Sequence, residues 1–344
     1  MNERIIAEKG GAGFEGIKLL LCENPLPPLN AAIEAAKAEL PHGNFYTEAF
    51  SAPLRKALSE RLGVAESFLH INAGSELILR QLFDRFGQRV HLFSPTSALF
   101  PGISRTYTET RLLPEDDFAF DLSRLEIPPE TTLTVIVNPN NPNGGAFDMA
   151  ALPDLLRRHR DTLFLVDEAF IDLGGVSVVM SVPRYKNLLV TRTFSKAHSL
   201  AGFRVGYVVA PEPIARDLNA SNDAYPLARP SQAAALATLK HPDQIRKRGS
   251  QLKAWTMELM ADLGGLGLKC YPTETYFFLA NVSPIDGMEF ARRLRERHIL
   301  VKPIEGDHLS GGYVRMTTST PENNRRVVQA VGEVIDRLNR LSDP

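Results

Sequence analysis

The sequence predicts an α/β lobe built on a mostly parallel sheet, followed by a smaller α+β lobe. Three observations lead there. Apolar runs at 68–72, 90–93, 133–137, 163–166, 188–190 and 205–210 alternate with helical patterns at 76–86 and 149–159 and with a short one after Ala98. Such alternation sets parallel strands between crossover helices. After Pro242 the pattern changes to a long helix over 244–263, a Gly264-Gly265-Leu266-Gly267 turn, strands at 276–282, 300–303 and 313–317, a helix at 287–297 and a closing helix over 321–341. The chain of 344 residues also exceeds the roughly 250–300 residues at which a single core stops growing. The expected division is an arm over 1–30 that joins the small lobe, a large lobe over 31–243 and a small lobe over 244–344.

The arm is punctuated by Gly10, Gly11, Gly13 and Gly16 and by Glu23-Asn24-Pro25-Leu26-Pro27-Pro28, which suits a segment that wraps a surface. Asn30 is placed to cap a helix over 31–40 that Pro41 and Gly43 stop, and a second amphipathic helix over 52–62 ends at Gly63. Lys plus Arg (39) nearly balance Asp plus Glu (40), for a net charge of -1, so no polyanion partner and no nucleic acid is expected. No apolar run approaches the roughly 18 residues of a membrane span, and Met1–Lys9 lacks the hydrophobic core of a signal peptide, so the expected location is the cytoplasm. Cys22 and Cys270 form no disulfide framework. Neither they nor the scattered His159, His241, His298 and His308 have ligand spacing, and no metal is expected. Trp255, in a helical pattern, is expected to pack between the lobes, and the charges of 292–298 to form a solvated helix face.

In open sheets of this class ligands bind beyond the carboxyl ends of the strands, so the residues just after each apolar run carry the functional information. After 188–190 come Thr193, Ser195 and Lys196, with Arg204 following before the next strand. A lysine amine holds an aldehyde as a Schiff base, while hydroxyls and a guanidinium bind a phosphate dianion by charge-assisted hydrogen bonds. Pyridoxal 5'-phosphate has both handles. Asn72-Ala73-Gly74-Ser75-Glu76 leads from a strand straight into a helix, whose free N–H groups and positive dipole end suit a phosphate. Asn138-Pro139-Asn140-Asn141-Pro142-Asn143-Gly144-Gly145 makes a rigid turn that holds an asparagine amide at the sheet edge. Asp167 ends a fully apolar strand, where an unpaired carboxylate is costly and a cationic partner is expected. A protonated pyridine nitrogen would serve, and so would an arginine in a structural salt bridge.

Taken together, in this order and in one lobe, these motifs resemble those of the fold-type I pyridoxal-phosphate enzymes of the aminotransferase class I/II family. Within that family the resemblance is to the branch of histidinol-phosphate aminotransferase and threonine-phosphate decarboxylase. It extends from Glu23-Asn24-Pro25 to Arg315, and rests above all on Asn-Pro-Asn-Asn-Pro and on Ser195-Lys196 followed by Leu200-Ala201-Gly202 and Arg204. The resemblance implies a homodimeric aminotransferase that moves an amino group between an amino acid or amine and a 2-oxo acid. A decarboxylase acting on an O-phospho amino acid is the alternative. It further implies that Lys196 holds the cofactor and shuttles the proton between the substrate Cα and the cofactor, and that Asp167 pairs with the pyridine nitrogen. Asn141 would bond the phenolic O3', while Gly74, Ser75, Glu76, Thr193, Ser195 and Arg204 would surround the phosphate. Phe100 falls where the family stacks an aromatic on the cofactor ring, and Tyr46 where a tyrosine reaches the neighbouring subunit's phosphate. Arg315 would bind the substrate's anionic group, with Asn24 and Tyr276 in the substrate pocket.

The chain departs from the family pattern at four places. Phe170 replaces a tyrosine whose hydroxyl bonds O3' in the aminotransferases, while the decarboxylase relatives often carry phenylalanine. Tyr276, in Glu274-Thr275-Tyr276-Phe277, stands where an asparagine is common, Asn143 replaces a threonine, and Tyr46-Thr47-Glu48 replaces Tyr-Pro-Asp. Loss of the phenol donor at Phe170 removes a hydrogen bond that stabilises the ionised O3', so the cofactor's Schiff base should lose its proton less readily. Phe170→Tyr is therefore expected to lower the apparent pKa in an absorbance titration of the holoprotein; an unchanged value would refute the argument.

Overall fold

The computed structural model describes residues 14–304, 309 and 311–342. Gly10, Gly11, Gly13 and His308, noted in the sequence, lie outside them. The large lobe is a seven-stranded sheet built from β2 (Leu69–Asn72), β3 (Val90–Ser94), β4 (Tyr107–Arg111), β5 (Leu133–Val137), β6 (Leu163–Asp167), β7 (Leu188–Thr193) and β8 (Gly206–Val209). Their order across the sheet is β2-β8-β7-β6-β5-β3-β4, and β8 alone runs against its neighbours. The central strands are buried on both faces. Phe164 and Val166 of β6 and Leu188 and Val190 of β7 pack on one side, Leu165 and Leu189 on the other. That is why they read as unbroken apolar runs.

Helices cover both faces: α1 (Asn30–Glu39), α2 (Ala52–Leu62), α3 (Ser75–Phe86), α4 (Leu99–Ile103), α5 (Leu152–Arg158), α6 (Glu212–Ala220) and α7 (Arg229–Leu239). In α3, Ile78, Leu79, Leu82 and Phe83 recur at helical spacing and are buried against the sheet. Gly63 closes α2 in the left-handed conformation, as its position after the helix predicts. Asn30 lies inside α1 rather than capping it; the capping position is Leu29, without a side-chain bond. Over 149–159 a turn of 3₁₀ helix precedes α5, so the helix is shorter than its apolar pattern.

The long helix α8 (Pro242–Gly265) leads into a four-stranded antiparallel sheet of β9 (Lys269–Cys270), β10 (Phe277–Asn281), β12 (Lys302–Pro303) and β13 (Tyr313–Thr317), ordered β12-β13-β10-β9. Helices α9 (Gly287–Arg295) and α10 (Pro321–Ser342) pack on it. The arm contributes β1 (Ile17–Lys18), which pairs in parallel with β11 (Ile299–Leu300), and Ile17 and Leu19 enter the small lobe's core. A fourth apolar cluster joins Cys22 of the arm, Phe170 of the large lobe, and Leu252, Tyr276 and Phe277, with Trp255 half-buried against it. No helix among the described residues is long and apolar enough to cross a membrane.

The turn after β5 ties the lobes together. Gly144 adopts φ +80°, its N–H donates to Asn140 O at 2.8 Å, and its carbonyl accepts from Glu274 N at 2.8 Å. A Cβ at this position would collide with Thr273 Oγ1 and lie 2.9 Å from Phe277 O. Gly144→Ala combines a left-handed backbone with a clash between lobes, and is expected to destabilise the protein by roughly 2–4 kcal/mol, read as a lower denaturant midpoint.

Candidate active site

The carboxyl ends of β5, β6 and β7 converge on one place, and the adjacent strand ends bring Gly74 and Arg204 to it. At the end of β6 two neighbouring carboxylates take opposite roles. Glu168 is fully paired: its Oε2 accepts from Arg192 Nε at 2.8 Å and Ser177 Oγ at 2.9 Å, and its Oε1 from Val178 N at 2.7 Å. Asp167 accepts from Thr191 Oγ1 at 3.0 Å, across the β6–β7 register, and has no ion-pair partner among the described residues. Burial, the largest influence, pushes its carboxyl up to about 6, against the bonds from Thr191 and the Ala169 backbone. The arginine partner considered for Asp167 thus belongs to Glu168. Asp167 is left as a buried acid that a cation from outside the chain would stabilise.

Lys196 follows β7 in a bend. Its Nζ donates to the carbonyls of Leu21 at 3.0 Å and Cys22 at 3.1 Å. The loss of water around the amine, the largest influence, holds it below the ordinary lysine value; Arg315 and Arg204 add to this, while Cys22 and Glu23 oppose it. A lysine so placed is a poised nucleophile. Asn24, rather than presenting a free amide, donates Nδ2 to the carbonyls of Lys196 (3.1 Å) and Ala197 (3.4 Å) and accepts from Leu26 N, so it binds the lysine loop to the arm.

Residues expected around a phosphate lie close together here. Gly74 has φ +86°, and a Cβ there would strike the Arg204 guanidinium; a Cβ on Gly206 would strike Ser75 N. Two strand ends and the start of α3 can close together only because both residues lack side chains. The unbonded N–H groups of the first turn of α3 and the Arg204 guanidinium make an anion seat. Thr193 and Ser195 stand beside each other, their hydroxyls 3.0 Å apart. Glu76 turns its side chain outward to Arg80, 2.8 Å away, which leaves only its backbone for the anion seat.

Asn141 and Arg315 meet across the lobes: Arg315 Nη1 donates to Asn141 Oδ1 at 2.6 Å, and Nη2 donates to Leu20 O. Among the described residues the buried Nε of Arg315 has no partner, and the Asn141 amide nitrogen is of the donor type that a cofactor oxygen would take. One cation was missed from sequence. Lys302 of β12 pairs directly across from Arg315 of β13, and directly paired residues point to the same face. The signal was a basic residue next to Pro303 in a short apolar run, legible only once the register is known.

Two expected contacts are placed elsewhere. Phe100 is 1% exposed and lies in the core behind the sheet, 6.0 Å from the Phe83 ring. A residue that stacks on a cofactor ring must turn a face toward the site, and Phe100 is enclosed by the core cluster of Ile78, Leu79, Phe83 and Val135. Tyr276, fully buried, gives its hydroxyl to Cys22 O at 2.7 Å instead of facing a substrate pocket. Phe170 packs its ring 4.8 Å from Phe277, with Lys196 Nζ 5.4 Å from the ring centre. Tyr46 is 77% exposed and stacks on Tyr225 at the surface.

The residues therefore fit pyridoxal phosphate: an anion seat, a buried carboxylate without its own cation, an amide donor and a lysine of lowered proton affinity. Comparison with known proteins agrees. The model of the family "Aminotransferase class I and II" matches residues 16–331. The chain belongs to that family. It is similar to histidinol-phosphate aminotransferase 2 of Thiobacillus denitrificans, at 31% identity over 92% of this chain and 90% of the relative. The histidinol-phosphate aminotransferase of Acinetobacter baumannii is 29% identical over 93% and 91%. Among solved structures, histidinol-phosphate aminotransferase from Sinorhizobium meliloti, in complex with pyridoxal-5'-phosphate, superposes with a TM-score of 0.84 at 21% identity, covering 98% of this chain and 95% of that one. L-threonine-O-3-phosphate decarboxylase from Porphyromonas gingivalis also gives 0.84, at 22% identity over 93% and 99%. This aminotransferase takes pyridoxal 5'-phosphate as cofactor, and its substrates are an amino donor and a 2-oxo acid.

The raised value at Asp167 has a stability consequence. Its folded pKa of about 6 lies above its ordinary 3.8, so the carboxyl's contribution is fully present below 3.8 and is lost as pH rises through about 6. In cofactor-free protein Asp167→Asn should remove this loss, giving a variant more stable than wild type by roughly 2–3 kcal/mol at pH 7.5 but not at pH 3.5. Denaturant unfolding at the two pH values checks it, and an equal difference at both would refute it.

Proposed function

We propose that this enzyme transfers an amino group from a small amine or amino acid that carries a phosphate, of the histidinol phosphate kind, to a 2-oxo acid such as 2-oxoglutarate. The observation that carries the reading is the pair of cations on one sheet face, Arg315 and Lys302, joined through Arg315 to Asn141. A carboxylate alone needs one bidentate arginine, whereas a phosphate dianion is better matched by two cations. The relatives named histidinol-phosphate aminotransferase support the same substrate class.

The bound cofactor supplies an aldehyde carbon and a cationic ring that accepts the electrons released at the substrate Cα. The chain does the rest. Asp167 keeps the ring nitrogen protonated, and Asn141 donates to the ring oxygen. Gly74, Ser75 and Glu76 through backbone, and Thr193, Ser195 and Arg204 through side chains, hold the phosphate. Lys196 Nζ carries the proton to and from Cα, and its lowered proton affinity suits that work near neutral pH. Arg315, with Lys302 beside it, exchanges the Leu20 carbonyl for the substrate's anionic end and so orients Cα.

In this reading the enzyme works in the cytoplasm as a homodimer. Leu40 and Phe45 (64% and 65% exposed), Tyr46, Phe50 and Tyr225 are exposed apolar residues that a second copy would cover, and Tyr46 would reach the partner's phosphate cup. Phe170 favours a second reading, decarboxylation of an O-phospho amino acid, because it leaves out the phenol that the aminotransferases place at O3'.

The test is a spectrum of the holoenzyme with single donors and no oxo acid. Histidinol phosphate is expected to convert the cofactor to its amine form, which 2-oxoglutarate then reverses. Release of CO2 from O-phosphothreonine with no lasting change of spectrum would establish the second reading. Lys302→Ala should raise KM for the phosphorylated donor about tenfold or more, with little change in KM for the oxo acid.

A further inference from the structure

Residues 19–24 form a strap across the site, fixed at both ends. At one end Leu19 N donates to Leu300 O at 2.7 Å, and Leu19 O accepts from Thr317 N at 3.1 Å and Thr317 Oγ1 at 3.0 Å. At the other, Asn24 is bonded to the lysine loop. Between these ends three consecutive carbonyls are taken by three side chains: Leu20 O by Arg315, Leu21 O by Lys196, and Cys22 O by both Lys196 (3.1 Å) and Tyr276 (2.7 Å). Arg315 and Lys196 are the groups that substrate and cofactor claim. Tyr276 is not: it is fully buried, Cys22 O is the acceptor of its hydroxyl, and burial raises its phenol well above the ordinary value, so it remains a neutral donor.

Cys22 itself has φ +50°, a conformation a side-chain-bearing residue holds only when its surroundings impose it. The bond from Tyr276 supplies such a constraint. We propose that Tyr276 is a positioning residue for Lys196: its hydroxyl clamps the Cys22 carbonyl in the left-handed turn that aims it at the lysine amine, and this sets the proton affinity of that amine. Without the clamp the strap relaxes at Cys22, and Lys196 keeps one carbonyl acceptor instead of two. The charged and titratable groups that face the amine are Cys22 and Glu23 on the strap, Arg204 before β8, Arg315 on β13 and Asp167 on β6. None of them replaces a lost carbonyl, so the ammonium form is weakened and the pKa of Lys196 falls. In the intact protein the clamp therefore restrains the amine, keeping it protonated to higher pH until an aldehyde takes it.

The inference rests on the reading of Lys196 as the cofactor lysine for its meaning, but its test does not. In full-length, cofactor-free protein, the pKa of Lys196 is measured by competitive acetylation with acetic anhydride across pH, followed by peptide mass spectrometry, with the exposed Lys37 as internal reference. Loss of one hydrogen bond to a charged group corresponds to about one pH unit, so Tyr276→Phe is expected to lower the Lys196 value by about that much and to label Lys196 about tenfold faster below its midpoint. Phenylalanine removes only the hydroxyl; should that variant not fold, Tyr276→Met keeps an apolar side chain without a donor and carries the same expectation. An unchanged or raised value in the folded variant would overturn the proposal. Failure of the wild-type protein to take up pyridoxal phosphate would instead overturn the cofactor reading, a separate result.

Discussion

The site depends on one buried carboxylate, Asp167, that has no ion-pair partner among the described residues. Asp167 ends the strand at the centre of the sheet, and its neighbour Glu168 takes the nearby Arg192. Two carboxylates at one strand end cannot share a single guanidinium without leaving lone pairs unsatisfied, and the backbone alternation of a strand turns them to opposite sides. One side becomes a closed ion pair that holds the loop at Ser177 and Val178. The other becomes an open seat of raised proton affinity. On the proposed role of Asp167, a cationic ring nitrogen would restore its ionised form, and the energy that burial withholds from the cofactor-free protein would be returned on binding.

The arm follows the same logic with the signs reversed. Arg315 and Lys196 are cations in a site partly closed to water, and each borrows carbonyl oxygens from residues 20–22. Neutral carbonyls are acceptors weak enough to be exchanged for a carboxylate, a phosphate or an aldehyde chemistry, yet they spare the cations an unpaired burial. The strap belongs to the small lobe through β1 and Leu19 and to the large lobe through Asn24. Any exchange at Arg315 or Lys196 is therefore felt where the two lobes meet.

Much of this was legible in the sequence, for a physical reason. A buried parallel strand is an unbroken apolar run, so polar residues that end it stand out, and Asp167, Asn141, Gly74, Lys196 and Arg204 all lie just past or between such runs. What was hidden lay where that contrast is absent. The edge strand β4 is mostly exposed and carries no apolar run. The helices α6 and α7 follow β8 in succession with no strand signal between them. Lys302 acquires its meaning from register across β12 and β13, and Phe100 its place from the short α4 that turns its ring into the core. Neither tertiary pairing nor the facing of one helical turn is written in local spacing.

The two departures at Phe170 and Tyr276 are best understood together. One position loses a phenol that would have faced the cofactor oxygen, and the other gains a phenol where an amide is common. Their rings meet edge to face with centres 6.3 Å apart, within the apolar cluster that also holds Cys22. A tyrosine at 170 would bring a second hydroxyl into a pocket that already buries one, and the Cys22 carbonyl already accepts from Tyr276 and Lys196. Phenylalanine fills the space without adding a donor that must be satisfied. The hydroxyl is thereby moved from the ring side of the site to the strap side, from the cofactor's oxygen to the carbonyl that holds the lysine. On the proposed site the substitution at 170 would be tolerable because Asn141 would still serve the oxygen, and the substitution at 276 matters because nothing else described holds Cys22 in its left-handed turn from outside the strap except the lysine itself.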